Sequence, residues 1–155
     1  LYSAYKKSFN NIINFYKNKH NKIKFFNLII SDTFGNNDRR KKIINLLRSN
    51  YKRNKSTTII SKNLFLNLLN VKDIVHAVNI ILKKKITPNN YILKNNNNYS
   101  ILKIIDKLNS SSDKRIKIKW LSNRVLKEKI YNYKKLKGWR PNNSKIKDII
   151  DLIKT

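Results

Sequence analysis

The first turns of the chain carry a tyrosine and a lysine at a spacing that suits proton transfer. Tyr2 and Lys6 are four residues apart, and residues at that spacing lie on the same face of a helix. An ammonium group beside a phenol favours the phenolate and lowers a tyrosine pKa from its usual value near ~10. A tyrosine tuned in this way exchanges a proton with a substrate hydroxyl or carbonyl group. Tyr5 is a second candidate, but its partner at this spacing is Phe9, which carries no charge.

The same Tyr-x-x-x-Lys spacing also fits an ordinary helix start with a half-buried tyrosine and a solvated lysine, so the following elements must decide. Apolar residues at intervals of three and four, such as Phe9, Ile12 and Ile13, predict a helix over 4–19. The dense apolar run over 23–30 predicts a buried strand, because it is short and rich in β-branched and aromatic residues. A helix followed closely by a buried strand is half of a βαβ unit.

A polar loop, from Ser31 to Asp38, follows that strand. Ligands bind at the carboxyl ends of strands in parallel α/β sheets, which makes the loop a candidate for site chemistry. The alternative is an ordinary connection in which Asp38 is the N-cap of a helix over 39–51. The sequence leaves both interpretations open.

The rest of the chain alternates β-type segments with helical patterns, which is typical of the α/β class. Strands are predicted over 57–61, 64–69, 91–93 and 116–120. Helices are predicted over 71–84, 101–108, 122–130 and 144–153. Ser100 and Ser122 are the predicted N-caps of two of these helices. The predicted apolar face of the helix over 71–84 is formed by Ile74, Val78, Ile81 and Leu82, and the Asn tract 95–98 is predicted to be a low-complexity loop.

The composition is strongly basic, with 36 Lys and Arg against eight Asp and Glu and a net charge of +28. Such a charge suggests a nucleic-acid partner. We nevertheless regard nucleic acid as an unlikely partner, because the cations are mostly Lys, are spread along the chain, and accompany Asn and Ile, which share A/T-rich codons. A polyanion-binding module would require exposed aromatic rings beside lysines, for which the candidates are Tyr2, Tyr5, Tyr16 and Tyr51.

Several classes of protein do not fit the sequence. Cysteine is absent and the two histidines, His20 and His76, lie far apart, so we expect no metal site. No apolar run approaches the ~18–20 residues that cross a bilayer, and we expect a cytoplasmic protein without a membrane partner. The chain opens at Leu1, without an initiator Met, in what looks like the middle of a domain, and we expect a fragment.

Five segments, in this order, resemble motifs of the extended short-chain dehydrogenase/reductase family, the NAD-dependent nucleotide-sugar epimerases and dehydratases. They are Tyr2-Ser3-Ala4-Tyr5-Lys6, Asp32–Asp38, Leu68–Ile74, Asn90–Leu93 with Tyr99-Ser100, and Gly138–Pro141 with Ser144. The resemblance covers nearly the whole chain and matches the C-terminal half of the family.

The resemblance implies an α/β fold made of the C-terminal part of a Rossmann-like sheet and a small α/β substrate-binding domain. Residues 1–53 would end the Rossmann-like domain, and residues 54–155 would be mainly the nucleotide-sugar subdomain. Within the latter, 64–84 would pack back on the Rossmann part. The N-terminal dinucleotide-binding half would be absent from this chain.

The resemblance also implies roles for individual residues in an epimerase, dehydratase or reductase reaction. Tyr2 would be the general acid/base, and Lys6 would hold the nicotinamide ribose and lower the tyrosine pKa. Ser31 would join Tyr2 and Lys6 in binding NAD or NADP, while Asp32 and Phe34 would border the nucleotide-sugar substrate. Helices at this place in the family pair into dimers, which predicts a homodimer through the first two helices.

The chain also departs from the family pattern, and the departures keep other functions open. The positions that differ are Asn10, Ile29, Asn36, Leu66, Asn70 and Lys72. A glycine-rich turn for the dinucleotide is missing, because the sequence contains only two glycines. The alternatives are a catalytically inactive remnant that keeps the fold for interaction, and a Lys-rich module that binds nucleic acid or another polyanion.

Overall fold

The computed structural model describes residues 1–20, 22–127 and 132–155, with the backbone alone for Tyr2. In these ranges the helices are α1 (Tyr2–Lys19), α2 (Ile43–Lys52), α3 (Val71–Lys83), α4 (Ile101–Ser110) and α5 (Ile146–Lys154). The strands are β1 (Asn27–Ile30), β2 (Asp32–Phe34), β3 (Thr57–Ile59), β4 (Leu64–Leu66), β5 (Leu68–Asn70), β6 (Asn90–Leu93), β7 (Tyr99–Ser100), β8 (Ile118–Trp120), β9 (Leu126–Lys127) and β10 (Lys134–Lys135). Their order confirms the predicted mixed α/β class.

Most of the strand pairs are parallel. The strands β1, β6 and β10 form one parallel sheet with β6 in the middle, and Leu28 lies opposite Tyr91 in its register. Two further parallel pairs join β2 to β5 and β3 to β8. The fourth sheet has the order β7-β4-β9, in which β4 and β7 are antiparallel. Parallel pairing requires long crossovers, which the intervening helices supply.

Two apolar clusters hold these elements together. The larger one is formed by α2, α4 and α5, with Leu47, Ile104 and Ile149 fully buried. The smaller one packs α3 against β1 and β6 and includes Leu69 and Leu93. Neighbouring residues of β5 serve different clusters, since Leu68 belongs to the larger one and Leu69 to the smaller one. This follows from the alternation of side chains along a strand.

A buried carboxylate fastens α3 to the segment before α5. Asp73 is 1% exposed, and its carboxylate accepts hydrogen bonds from the backbone N–H groups of Asn142 and Asn143 at 3.0–3.1 Å. The Ser144 hydroxyl donates to the same carboxylate at 2.5 Å. Trp139 adds a bond from Nε1 to the Asp73 carbonyl at 2.8 Å. Two of the segments used for the family resemblance, around Asp73 and after Gly138, are therefore in direct contact.

The asparagine tract is a structural element and not merely a loop of low complexity. Asn95 is 5% exposed, and its amide Nδ2 donates to the carbonyl groups of Leu68 and Ser144. Its backbone N–H donates to Oδ1 of Asn67 at 2.8 Å. Asn67 is buried as well and separates β4 from β5, so the predicted strand over 64–69 is two short strands.

Three other sequence expectations are wrong in detail. The second helix begins at Ile43 with Lys42 as its N-cap, so Asp38 does not cap it. Ser122 does not begin a helix, because its hydroxyl donates to the Ile60 carbonyl and 126–127 form β9; the rest of that predicted helix, 128–130, lies outside the described residues. The buried face of α3 contains Asp73, Ala77 and Ile80, whereas the predicted face members Val78 and Leu82 are 39% and 76% exposed.

Candidate active site

Ser31 stands directly at the carboxyl end of β1. Its backbone N–H donates to the Leu93 carbonyl at 3.1 Å, which continues the pairing of β1 with β6 by one residue. The Ser31 hydroxyl Oγ is buried and has no hydrogen-bond partner among the described residues. The loop after β1 therefore presents an unsatisfied polar group at the sheet edge where α/β proteins bind ligands.

The polar side chains of the following loop bind one another. Asp32 forms an ion pair with Lys42 and accepts a hydrogen bond from the Thr33 backbone N–H at 3.0 Å. Arg40 donates from Nη2 to the Thr33 hydroxyl at 2.7 Å and to Asp38 at 2.6 Å. These contacts connect β2 to the residues before α2. They leave Asp32, a predicted substrate contact, neutralised by a lysine and half-buried.

Arg40 determines the ionisation of Asp38. Its side-chain hydrogen bonds lower the pKa of Asp38 to about 2, and desolvation of the carboxylate opposes this only in part. The same contact raises the pKa of Arg40. The pair is therefore fully charged at neutral pH and fixes the loop between β2 and α2.

Phe34 and Gly35 are explained by packing within the protein. The Phe34 ring is 1% exposed and belongs to the larger apolar cluster, so its position is accounted for without a ligand. A Cβ atom on Gly35 would lie 3.2 Å from Cγ2 of Val71, which is closer than most real contacts of that kind. A larger residue at this position would require the Val71 side chain to move by a few tenths of an ångström. A substrate contact by Phe34 stays a prediction.

Lys6 lies along a groove beside α1, while the side chain of Tyr2 is outside the described residues. The groove, called the α1 groove below, has a volume of about 650 Å³. Its lining residues are Tyr5, Lys6, Phe9, Asn10, Ile13, Asn14, Lys17, Phe25, Phe26, Asn27, Asn89, Asn90 and Tyr133. Asn27 and Asn90 are the first residues of β1 and β6, so the groove reaches the amino ends of these strands.

The predicted site residues are not gathered in one cavity in the described part of the chain. Ser31, Asp32 and Phe34 follow the carboxyl end of β1 and are not among the residues that line the α1 groove, whereas Lys6 is. In α1, Ile13 is the one described residue that is not largely exposed. Little therefore fixes the position of α1, and the catalytic roles of Tyr2 and Lys6 stay predictions.

Ser31 is the residue at which a nicotinamide cofactor is predicted to bind beside β1. A polar group of a ligand at the end of β1 would satisfy the Ser31 hydroxyl, whose burial without a partner costs free energy. The diphosphate of a dinucleotide requires a glycine-rich turn, and the two glycines of the sequence, Gly35 and Gly138, are far apart. A cofactor contact by Ser31 therefore stays a prediction, and the described residues include no glycine-rich turn for the diphosphate.

Other kinds of site are not found in the described residues. No group of three or more His, Asp or Glu side chains is close enough together to hold a metal ion there. His76 is exposed on α3, and His20 stacks on the Tyr16 ring with centroids 5.9 Å apart. The described helices include none with the length and hydropathy of a membrane span.

The fold closely resembles that of nucleotide-sugar enzymes. UDP-glucuronic acid 4-epimerase from Bacillus cereus in complex with NAD matches 99% of this chain over 50% of its own length, with a TM-score of 0.76 and 19% identity. UDP-glucose 4-epimerase from Thermotoga maritima with UDP-glucose matches 96% of this chain over 50% of its own length, with a TM-score of 0.71 and 18% identity. The Thermus thermophilus UDP-glucose 4-epimerase complex with NAD matches 98% of this chain over 53% of its own length, with a TM-score of 0.71 and 14% identity.

These similarities establish the fold of the chain. It spans between 33% and 53% of the length of eight solved structures of this kind. No protein-family model and no curated protein sequence matches it. The chain therefore has the fold of part of a nucleotide-sugar epimerase or dehydratase, as its five sequence motifs led us to expect.

Sequence reasoning missed the α1 groove and the Asp73 contacts. The sequence carried no signal for the groove, because its lining joins residues of α1 with Asn89, Asn90 and Tyr133, which are far away in the chain. The Asp73 contacts could not be predicted from local patterns either, because the residues that donate to Asp73 are about 70 residues away in the chain.

Proposed function

We propose that the chain is part of an NAD(P)-dependent nucleotide-sugar epimerase, dehydratase or reductase of the extended short-chain dehydrogenase/reductase family. The observation that carries this proposal is the fold similarity over 99% of the chain to UDP-glucuronic acid 4-epimerase. The five motifs support it independently, since they were recognised from the sequence.

In the proposed chemistry, Tyr2 exchanges a proton with the substrate, while Lys6 and Ser31 bind the cofactor. The Tyr2 phenol gives a proton to, or takes one from, the oxygen of a sugar hydroxyl. The Lys6 ammonium, four residues along α1, favours the phenolate form and binds the nicotinamide ribose. The Ser31 hydroxyl contributes a further hydrogen bond to the cofactor. When bound, the nicotinamide supplies or accepts the hydride.

The proposed domain division places residues 1–53 in the Rossmann-like part and 54–155 mainly in the substrate-binding part. The packing of 64–84 against the Rossmann-like part is supported by the smaller apolar cluster, which includes Ile74 and Ile80 of α3 together with Leu28 of β1. Two strands from the second range, β6 and β10, also extend the β1 sheet. A homodimer through α1 and α2, and a cytoplasmic location, stay predictions.

The reading frame upstream of the Leu1 codon provides the first test. An in-frame strand followed by a glycine-rich turn and a helix would supply the dinucleotide-binding half. We would then express the whole reading frame and measure the NAD-dependent conversion of UDP-glucose and UDP-glucuronic acid. If the frame lacks that half, or if the product binds neither NAD nor a nucleotide sugar, the inactive remnant replaces this proposal.

A pair of variants then tests the catalytic assignment. Tyr2→Phe is expected to lower kcat by about 10²–10⁴-fold, because proton transfer is lost. Tyr16→Phe is the matched control, since it removes a hydroxyl from an exposed ring on the same helix. Unchanged turnover in Tyr2→Phe would show that this tyrosine is not the acid/base.

A further inference from the structure

We propose that Asn67 and Asn95 form a buried amide lock, which holds the substrate-binding part of the chain in one orientation against the strands that carry Ser31. The two asparagines are then positioning residues for the nucleotide-sugar reaction, since neither is predicted to contact the substrate or the cofactor. The inference rests on the proposed function and adds a means of fixing the two predicted binding surfaces relative to each other. Asn67 and Asn95 lie in the interior of the fold, where they are 2% and 5% exposed.

The amide lock lies where the chain passes between the two apolar clusters. Asn67 separates β4, in the sheet β7-β4-β9, from β5, which pairs with β2. Asn95 follows β6, whose Leu93 belongs to the smaller cluster, and precedes β7, whose Tyr99 belongs to the larger one. Two crossings that are 28 residues apart in the chain therefore meet at one point.

The Asn67 side chain bonds the Asn95 backbone as a neighbouring strand would. Its Oδ1 accepts from the Asn95 N–H at 2.8 Å, and its Nδ2 donates to the Asn95 carbonyl at 3.0 Å. Nδ2 also donates to Oδ1 of Asn98 at 2.7 Å. Buried backbone groups must find partners, and a carboxamide offers both a donor and an acceptor from one planar group. An aspartate has the same shape but, when ionised, has no donor.

The Asn95 side chain extends the network in the other direction. Its Nδ2 donates to the carbonyl groups of Leu68, on β5, and of Ser144, two residues before α5. The Ser144 hydroxyl accepts from the Asn70 backbone N–H at 2.8 Å and donates to the Asp73 carboxylate. The loop after β6 is thus joined through the amide lock to β5, to α3 and to the segment before α5.

The amide lock is connected to both predicted binding surfaces. On the cofactor side, the Ser31 backbone N–H donates to the carbonyl of Leu93, two residues before Asn95. On the substrate side, Asn67 directly follows β4, which pairs with β7 and β9. Catalysis depends on holding such surfaces in one geometry before the substrate binds. Loosening the lock is therefore expected to weaken substrate binding and to leave the chemical step intact.

Asn67→Asp, in the product of the whole reading frame, tests the amide lock, because it keeps the shape of the side chain and removes the donor. The KM for UDP-glucose or UDP-glucuronic acid, whichever the natural protein converts, is expected to rise roughly tenfold. We expect kcat and the affinity for NAD to change by less than about twofold, since the orientation is restored once substrate is bound.

Two further variants accompany this test. Asn98→Ala removes a single acceptor at an exposed position, so it retains the fold even if Asn67→Asp does not, and it is expected to raise KM about twofold. Asn109→Asp is the matched control. Asn109 accepts from the Ile116 N–H through Oδ1, an atom that aspartate also has, so its KM should equal that of the natural protein.

Hydrogen exchange followed by mass spectrometry gives a second readout, which needs no turnover. In Asn67→Asp, residues 28–34 and 90–98 are expected to exchange at least about tenfold faster, since the amides of Ser31 and Asn95 lose their fixed acceptors. Residues 101–108 in α4 should exchange as in the natural protein, because their buried side chains belong to the larger cluster.

The outcomes separate the amide lock from the proposed function. If the natural protein binds neither NAD nor a nucleotide sugar, the enzymatic proposal fails, and hydrogen exchange alone decides on the lock. If the natural protein is active but Asn67→Asp has the KM of Asn109→Asp, the lock is overturned. A fall in kcat at unchanged KM, or faster exchange in all segments together, would overturn it as well, because either result means lost folded protein and not lost orientation.

Discussion

Asp73 shows how one buried carboxylate joins segments that are far apart in the chain. Its oxygens accept from Asn142, Asn143 and Ser144, so four donors depend on a single side chain. The sequence identified this aspartate only by family resemblance, as the acid that survives in Leu68–Ile74. Its physical role, which is to satisfy the loop before α5, could be seen only once the fold had brought these residues together.

Replacing Asp73 with alanine should destabilise the protein by at least about 3 kcal/mol, because several buried or half-buried donors lose their acceptor. The measurement is urea unfolding followed by circular dichroism. Asp106→Ala, at an exposed position on α4, is the control and should change stability by less than about 0.5 kcal/mol. A small loss in Asp73→Ala would mean that water replaces the carboxylate.

Replacing Ser31 with alanine is expected to have the opposite effect on stability. Its buried hydroxyl has no partner in the described structure, so Ser31→Ala should leave the stability of the free protein unchanged or raise it by up to about 1 kcal/mol. If the hydroxyl binds the cofactor, the same variant should reduce the rise in Tm that NAD produces in the full reading frame. A loss of stability without NAD would show that Ser31 has a structural partner instead.

At the scale of elements, periodicity predicted the presence of helices better than their faces and ends. The α3 sequence is apolar on two sides, with one stripe of Ile74, Ala77 and Ile81 and another of Val71, Val75, Val78 and Leu82. Spacing alone cannot choose between such stripes, since both recur at three and four. The choice follows from the sheet, against which Ala77 fits closely and buries its whole side chain.

The start of α2 was misplaced for an electrostatic reason. Asp38 pairs with Arg40, two residues away, and this turn delays the helix until Ile43. Ser100, in contrast, caps α4 as predicted, because its hydroxyl accepts from the Lys103 N–H at 3.2 Å. The N-cap of a helix could therefore be predicted from the sequence where no ion pair competed for the capping side chain.

The Asp38–Arg40 pair predicts how stability depends on pH. Because the folded pKa of Asp38 is about 2, below the value of an unpaired aspartate near ~3.9, the pair contributes stability above pH ~4 that is lost as the pH falls towards 2. Arg40→Gln should remove most of this dependence. The measurement is urea unfolding from pH 2 to pH 5, and parallel curves for the two proteins would contradict the assignment.

On the scale of the whole molecule, the sequence predicted the α/β class and the order of the elements. It did not predict the two apolar clusters, because Leu68 and Leu69 read as one apolar run although they serve opposite sides of β5. The α1 groove was also missed, since its two sides come from residues that are far apart in the chain, such as Lys6 and Asn90. Contacts of that kind depend on topology, which local patterns do not contain.

The net charge of +28 leads to a prediction for the entire fold. Asp38–Arg40 and Asp32–Lys42 are ion pairs, but eight acidic residues can neutralise only a minority of the 36 cations, so most of the cations repel one another. Screening shortens from about 30 Å at 0.01 M salt to about 8 Å at 0.15 M. Raising NaCl over this range should therefore increase Tm by several degrees, as scanning calorimetry would show, because repulsion destabilises the compact state.

A charge-reversed variant provides the control for this effect. Lys103, Lys119 and Lys147 are exposed and lie on α4, β8 and α5. Changing all three to Glu lowers the net charge by six while leaving the apolar clusters intact. The variant should melt at a higher temperature than the natural chain in low salt and gain less from added NaCl. An equal gain in both proteins would mean that salt acts through apolar burial or anion binding, and that the excess of lysines has little influence on stability.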